Sequence, residues 1–106
     1  MFLGTELQAR ARLEIAAGPR PVDALRPDAV TEDLAPYPVA VVDLDEAGAE
    51  GVTALRRAGF RGRIVGFFSH VDEGLGRRAT DAGAETYPRG RFWREAEKIL
   101  APEDRA

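Results

Sequence analysis

The feature that most constrains this chain is the segment Val39–Val42, which is apolar at every position and ends at Asp43. A strand with one face in water alternates apolar and polar residues, whereas a strand covered on both faces is apolar throughout. Ile64–Phe68 has the same character. Because segments of helical length separate and follow these strands, the pattern predicts βαβ units, hence a parallel sheet with helices on both faces.

Apolar residues at helical spacing predict four main helices around this sheet. The residues expected to face the core are Leu3, Leu7, Ala11 and Ile15 in the first helix, Val52, Leu55 and Ala58 in the second, Val71, Leu75, Ala79 and Ala82 in the third, and Phe92, Ala96, Ile99 and Leu100 in the last. A weak strand at 22–25 and a short helix at 29–34, capped by Asp28, are expected between the first helix and the Val39 strand.

Together these patterns predict one three-layer α/β sandwich over residues 1–101, with its clearest strands at about 39–44, 63–68 and 85–87. Residues 102–106 are expected to form a flexible tail. A chain of 106 residues has room for a single domain and a single core.

Composition narrows the classes of function. The formal net charge is only -3, so charge alone favours neither nucleic acid nor an anionic membrane as partner. Cysteine is absent, which excludes disulfides and thiolate metal sites. No apolar run is long enough to span a bilayer, and the N-terminus lacks the features of a signal peptide. A cytoplasmic location is therefore expected.

Polar side chains follow the predicted strands. In open parallel sheets, functional groups gather at the carboxyl ends of the strands. Here those ends carry Asp43, Asp45 and Ser69, with Arg89 close to the last strand. The same residue types also have ordinary structural roles, so each candidate has to be weighed against one.

Three segments carry a resemblance to a known family. In order and spacing, Val41–Asp45, Phe67–His70 and Asp81–Tyr87 resemble the receiver domain of bacterial response regulators. The resemblance covers about the last two-thirds of the chain. It implies a flavodoxin-like fold, with Asp43 and Ser69 at the phosphoacceptor and hydroxyl positions of a degenerate site.

The same resemblance implies that Tyr87 stands at the family's switch-aromatic position. The family's lysine, however, falls on Gly90, and the proline after it falls on Arg91. Arg89 is adjacent to the lysine position, but arginine and lysine are not interchangeable. These departures set the chain apart from a working receiver.

The family also has a first strand that ends in an acidic pair holding Mg²⁺. The chain is expected to begin at the first helix and so to be N-terminally truncated, lacking that strand. Asp45 is expected to point to the opposite face from Asp43. Because phosphoryl transfer develops charge that a divalent cation and a lysine neutralise, phosphorylation is not expected.

Structural interpretations compete with the functional ones. Asp43 could be a polar residue at a strand end, and Ser69 could cap a helix with Asp72 at the third position. Trp93 could be packed rather than exposed at an interface. Asp45 and Glu46 could bind a cation or lie in a solvated loop. An anion or partner site is possible at Arg89, Arg91 and Arg94, with a solvated face before a helix as the alternative. His70, the only histidine, is interpreted as an exposed loop residue.

The sequence therefore predicts a receiver-like signalling module that is not an enzyme and binds a protein partner through Arg89, Arg91 and Trp93. No cofactor, metal, nucleic acid or membrane is expected. A homodimer is expected, because a missing first strand would leave the Val39 strand with an open edge. Two alternatives stay open: a phosphoacceptor receiver whose true start lies upstream, and a small flavodoxin-like ligand-binding domain or enzyme.

Overall fold

A parallel sheet of five strands forms the centre of the molecule. The computed structural model describes residues 1–30, 37–69 and 72–101. The strands run in the spatial order β2-β1-β3-β4-β5, and every neighbouring pair is parallel. They are β1 (Phe2–Leu3), β2 (Ala24–Leu25), β3 (Val39–Asp43), β4 (Arg63–Phe68) and β5 (Glu85–Pro88). The predicted α/β sandwich and its three clearest strands are confirmed.

Helices cover both faces of this sheet. They are α1 (Leu7–Ala17), α2 (Leu44–Arg57), α3 (Glu73–Asp81), α4 (Arg89–Arg94) and α5 (Ala96–Leu100), with a 3₁₀ turn at Pro27–Ala29. One core lies between the sheet and α2 and α3, and the other lies between the sheet and α1, α4 and α5. The domain therefore has three layers, with the sheet in the middle.

Strand β1 corrects the expectation that the first strand is missing. The Phe2 amide donates to the Asp23 carbonyl at 2.7 Å, and the Val41 amide donates to the Met1 carbonyl at 2.8 Å, so β1 pairs on both sides. Phe2 packs in one core and Leu3 in the other, as alternation along a strand requires. The prediction that the first strand is absent was wrong, because two residues are too few to display a strand pattern.

Because β1 occupies the position beside β3, the reason given for a dimer no longer holds. Strand β3 has β1 on one side and β4 on the other, so it has no open edge. The weak strand expected at 22–25 is present as β2, and it pairs with β1 at the edge of the sheet.

Helix α1 packs on a different face from the one predicted. Leu7 and Ile15 are 78% and 76% exposed, whereas Ala9 and Leu13 are buried. The four-residue repeat was misleading because its first member, Leu3, belongs to β1 rather than to the helix. The helix is therefore seated on the sheet by Ala9 and Leu13, while Leu7 and Ile15 face outward.

The other helical stripes are confirmed where they can be compared. Val52 and Leu55 of α2 and Leu75 and Ala79 of α3 are buried, and Ala58 and Ala82 pack against the same core. The four predicted residues of the last helix are buried as well, although a break at Glu95 divides that helix into α4 and α5. Val71, residues 31–36 and the predicted tail at 102–106 lie outside the described residues.

The predicted cap of the short helix after β2 was wrong. Asp28 lies inside the 3₁₀ turn, and Arg26 precedes it without a side-chain capping bond. Pro27 takes the first position of the turn. Proline suits that position because its fixed φ matches a helical start and its missing amide hydrogen would have no partner there.

Candidate functional site

Three predicted site residues meet at the carboxyl edge of the sheet. Arg89 donates from Nη2 to Asp43 Oδ1 at 3.1 Å and to Asp45 Oδ2 at 3.0 Å. We call Asp43, Asp45 and Arg89 the carboxylate site. Asp43 ends β3 and is only 4% exposed; among the described residues, no other charged residue is buried to this degree. The site is thus a bridge of one cation between a buried carboxylate and a partly exposed one.

The start of α2 explains how both carboxylates reach the same place. Leu44 is the first helical residue and is fully buried, so the chain turns directly from β3 into the helix. Asp43 caps that helix by accepting from the Asp45 amide at 3.1 Å. Gly48, with φ of 68°, then separates this first turn from the rest of α2, in a conformation that glycine tolerates.

This geometry corrects the expectation for Asp45. The residue was expected on the opposite face of a continuing strand, but it lies in the first helical turn and turns its carboxylate toward Asp43 and Arg89. It is also more than a solvated loop residue, since its Oδ1 accepts from the Ser69 amide at 3.0 Å. Asp45 therefore links the ends of β3 and β4.

Glu46 is exposed, as a solvated residue would be, and it also holds the loop after β1. Its two carboxylate oxygens accept from the amide and the hydroxyl of Thr5, each at 2.8 Å. Beside Thr5, a Cβ on Gly4 would lie 2.7 Å from the Phe2 ring and 3.2 Å from the Asp43 Cβ. The end of β1 therefore presents no carboxylate to Asp43 from Gly4 or Thr5, and Gly4 has no room for one.

The electrostatics of Asp43 are set mainly by burial. Loss of contact with water raises the pKa of its carboxyl above the ordinary value, and this outweighs the lowering by the Arg89 charge and hydrogen bond. The Arg89 guanidinium also lies over the Phe67 ring, 4.7 Å from its centroid. An aromatic face and two carboxylates thus fix the position of this one cation.

Ser69 is not the helix cap that one interpretation expected. Helix α3 begins at Glu73, and its cap is Asp72, which accepts from the Leu75 amide at 3.1 Å. The Ser69 carbonyl instead accepts from the Asp72 amide at 2.9 Å. Ser69 thus reaches the carboxylate site through its backbone amide, and its neighbour His70 lies outside the described residues.

Of the residues predicted to bind a partner, Arg89 and Trp93 both lie against Phe67, whereas Arg91 lies over Tyr87. Arg89 turns toward the carboxylate site, while Trp93 is half-buried with its ring 5.2 Å from Phe67. Arg91 is exposed, pairs with Glu95 at 3.2 Å and lies 5.4 Å over the ring of Tyr87. Tyr87 itself is half-buried at the end of the sheet.

Sequence reasoning missed the bridging role of Arg89. The resemblance directed attention to Gly90, because that position aligns with the family's lysine. The available signal was that Arg89 directly follows β5, so its long side chain starts at the edge where β3 and β4 also end. The contact between Thr5 and Glu46 had no sequence signal, since 41 residues separate them.

A scan against protein-family models, a search of curated proteins and a search of solved structures found no match. Within the described ranges, no group of three or more histidine, cysteine or acidic residues is arranged to hold a metal ion. Nor does that part of the chain contain a helix long and apolar enough to cross a membrane.

Proposed function

We propose that this chain is a receiver-like signalling module that acts through protein–protein contact in the cytoplasm and does not transfer phosphate. The observation that carries the proposal is the Arg89 bridge to Asp43 and Asp45. The five-strand parallel order agrees with the flavodoxin-like architecture that the sequence resemblance implies. Asp43 stands in that architecture where a phosphoacceptor would stand, at the carboxyl end of the middle strand.

The chemistry of the bridge supports a module without phosphotransfer. An attacking carboxylate needs exposed oxygens, yet Asp43 is almost fully buried and its Oδ1 accepts from both Arg89 and the Asp45 amide. Mg²⁺ usually needs one or two carboxylates together with substrate oxygens. In the position of the family's acidic pair this chain has Gly4 and Thr5, and the nearby Glu46 is bound to Thr5.

For a module of this kind we propose a protein partner. The proposed contact residues are Arg89, Arg91 and Trp93, of types that dominate binding energy at interfaces. Arg91 is the most available of the three, because Arg89 is held by two carboxylates and Trp93 is half-buried.

A second copy of the chain is also proposed as a partner, for a reason different from an open strand edge. Leu7, Ala11 and Ile15 recur every four residues along α1, and all three are exposed. An apolar stripe of this kind on one helix can pack against the same stripe of a second copy around a two-fold axis.

Phosphotransfer is tested by incubating the protein with a small-molecule phosphodonor and Mg²⁺ and recording the intact mass. The parent is expected to keep its mass. An Asp43→Asn variant is the matched control, because it removes the acceptor without changing the shape of the side chain. A gain of one phosphoryl group in the parent, absent from the Asp43→Asn variant, would establish the phosphoacceptor alternative and overturn the proposal.

Partner binding is tested by affinity capture from cells, comparing the parent with Arg91→Ala and Trp93→Ala. A protein held by the parent is expected to bind each variant at least about tenfold more weakly. Arg61→Ala is the control, since Arg61 is exposed on the loop before β4. Equal retention by all four proteins would reject this surface, and a bound cofactor in the purified parent would instead favour the flavodoxin-like alternative.

A further inference from the structure

A basic cleft lies between α1 and α4, beside the carboxylate site. Its volume is about 520 Å³, and it is lined by Arg12 from α1, by Arg89, Trp93 and Arg94 from α4, and by Ser69. None of its lining residues is acidic. The cleft therefore gathers three guanidinium groups in a chain whose formal net charge is negative, and one of them, Arg89, is also paired with Asp43 and Asp45 behind it.

Two of the guanidinium groups lie over aromatic rings. Arg89 lies 4.7 Å over Phe67, and Arg12 lies 5.1 Å over Trp93. The two rings contact each other with centroids 5.2 Å apart. The two rings thus lie in contact between the two guanidinium groups. Arginine side chains that are already ordered lose less conformational freedom when they bind an anion.

These cations keep unused donors. A guanidinium carries five N–H groups, but Arg89 makes both of its carboxylate bonds through Nη2. Arg12 and Arg94 form no ion pair with any acidic residue in the ranges 1–30, 37–69 and 72–101. Arg12 and Arg94 are also exposed, so their donors are accessible to a ligand that enters the cleft.

We propose that this cleft is a binding site for a small multivalent oxyanion of the phosphate and polyphosphate class. Such anions present several acceptor oxygens, which match the paired donors of a guanidinium. A volume of about 520 Å³ is enough for a small ligand and falls within the usual range of small-molecule sites. The proposal does not depend on whether the chain is a signalling module, since it rests on the cleft alone.

Trp93 provides a direct readout, because it is the only tryptophan of the chain and lies in the cleft. Inorganic pyrophosphate is titrated at constant ionic strength while Trp93 fluorescence is recorded, and isothermal calorimetry gives the stoichiometry. A saturable change with one site per chain is expected. Arg12→Gln and Arg94→Gln are each expected to weaken binding by about tenfold, as loss of a charge-assisted hydrogen bond does.

Arg77→Gln is the matched control, because Arg77 is exposed on α3, on the other face of the sheet, and its replacement changes the net charge equally. It should bind pyrophosphate within about twofold of the parent. The proposal is overturned if the parent gives no saturable signal at millimolar pyrophosphate. It is also overturned if Arg77→Gln loses as much affinity as the cleft variants, or if the cleft variants bind like the parent.

Discussion

Helices α1 and α2 flank the same sheet, yet they are held in opposite ways. Helix α2 buries Val52 and Leu55 completely, whereas α1 leaves Leu7 and Ile15 largely exposed. Both helices contain enough leucine, isoleucine, valine and alanine to form an apolar stripe. Apolar content alone therefore does not decide which face a helix buries. The point at which the helix starts after its strand also sets how the helix is rotated about its axis against the sheet.

The two helices also begin differently. Helix α2 follows β3 without a loop, and its capping residue Asp43 is buried and bound by Arg89. Helix α1 is capped by Glu6, an exposed residue whose side chain accepts from the Ala9 amide. We therefore expect α2 to be part of the most stable unit of the fold and α1 to be the more easily released element.

The largest difference in stability between the two helices is expected when a leucine of each is replaced by alanine. Leu55→Ala in α2 should lower the free energy of unfolding by about 2–5 kcal/mol, because it opens a cavity in a filled core. Leu7→Ala in α1 removes an exposed side chain and should change it by less than about 0.5 kcal/mol. Urea unfolding of both variants measures the contrast, and a cost for Leu7→Ala close to that of Leu55→Ala would contradict the burial difference.

The next largest loss of stability is expected when the cation of the carboxylate site is removed. Arg89→Ala leaves Asp43 buried beside Asp45 with no opposite charge, and we expect a loss of about 1–3 kcal/mol near neutral pH. The figure is kept below that of a fully buried pair, because Arg89 is about one-third exposed and water screens it. Urea unfolding near pH 7 measures it.

The pH dependence of this loss gives a sharper test. Burial raises the pKa of Asp43, so the stability that its protonated form contributes is lost as pH rises through that raised pKa. Without Arg89 the pKa of Asp43 rises further. The cost of Arg89→Ala should therefore be greatest near neutral pH, where Asp43 is ionised, and shrink as pH falls through the raised pKa of Asp43. In an Asp43→Asn background most of this pH dependence should disappear, and an unchanged cost at every pH would reject the mechanism.

A smaller contrast is expected between helix caps. Asp72→Ala removes the side chain that caps α3 and should cost about 1 kcal/mol. Glu6→Ala removes the exposed cap of α1 and should cost about half as much, because fraying of this helix end exposes little apolar surface. Thermal unfolding of the two variants compares them, and a larger cost for Glu6→Ala would show that α1 is the better anchored helix.

The smallest effect on folding is expected at the exposed stripe of α1. Ile15→Glu should leave the stability of the monomer within about 0.5 kcal/mol, since the side chain contacts mostly solvent. It should nevertheless abolish the proposed dimer by placing two carboxylates at the two-fold contact. Size exclusion with light scattering measures the mass of parent and variant. A monomeric parent at micromolar concentration would contradict the proposed self-association.

The fold was predictable wherever a segment was long enough for its apolar residues to show which of its faces are buried. Strands β3 and β4 are buried on both faces, and the stripes of α2 and α3 have the spacing of one helical face. Strand β1 was missed because Phe2 and Leu3 occupy only two positions, and Leu3 happened to lie four residues before Leu7. The same coincidence therefore hid the short strand and led to the wrong prediction for the buried face of α1.

The candidate site was predictable in its location but not in its bonds. Asp43, Asp45 and Arg89 each follow a strand, and the ends of parallel strands lie at one edge. Which oxygen Arg89 binds depends on the turn from β3 directly into α2, and that turn depends on burial of Leu44. Such a contact is decided by packing around the strand ends, for which the linear order of residues gives no spacing rule.

The shortness of β1 has a consequence for the order of folding. Its residue Phe2 pairs with Ala24 and Val41, roughly 20 and roughly 40 residues farther along the chain, so its closure costs more entropy than local pairing does. The unit β3-α2-β4 is nearly continuous in sequence and can form first. We therefore expect Leu55→Ala to slow refolding, and Leu3→Ala mainly to speed unfolding, because β1 would insert between β2 and β3 only after the transition state.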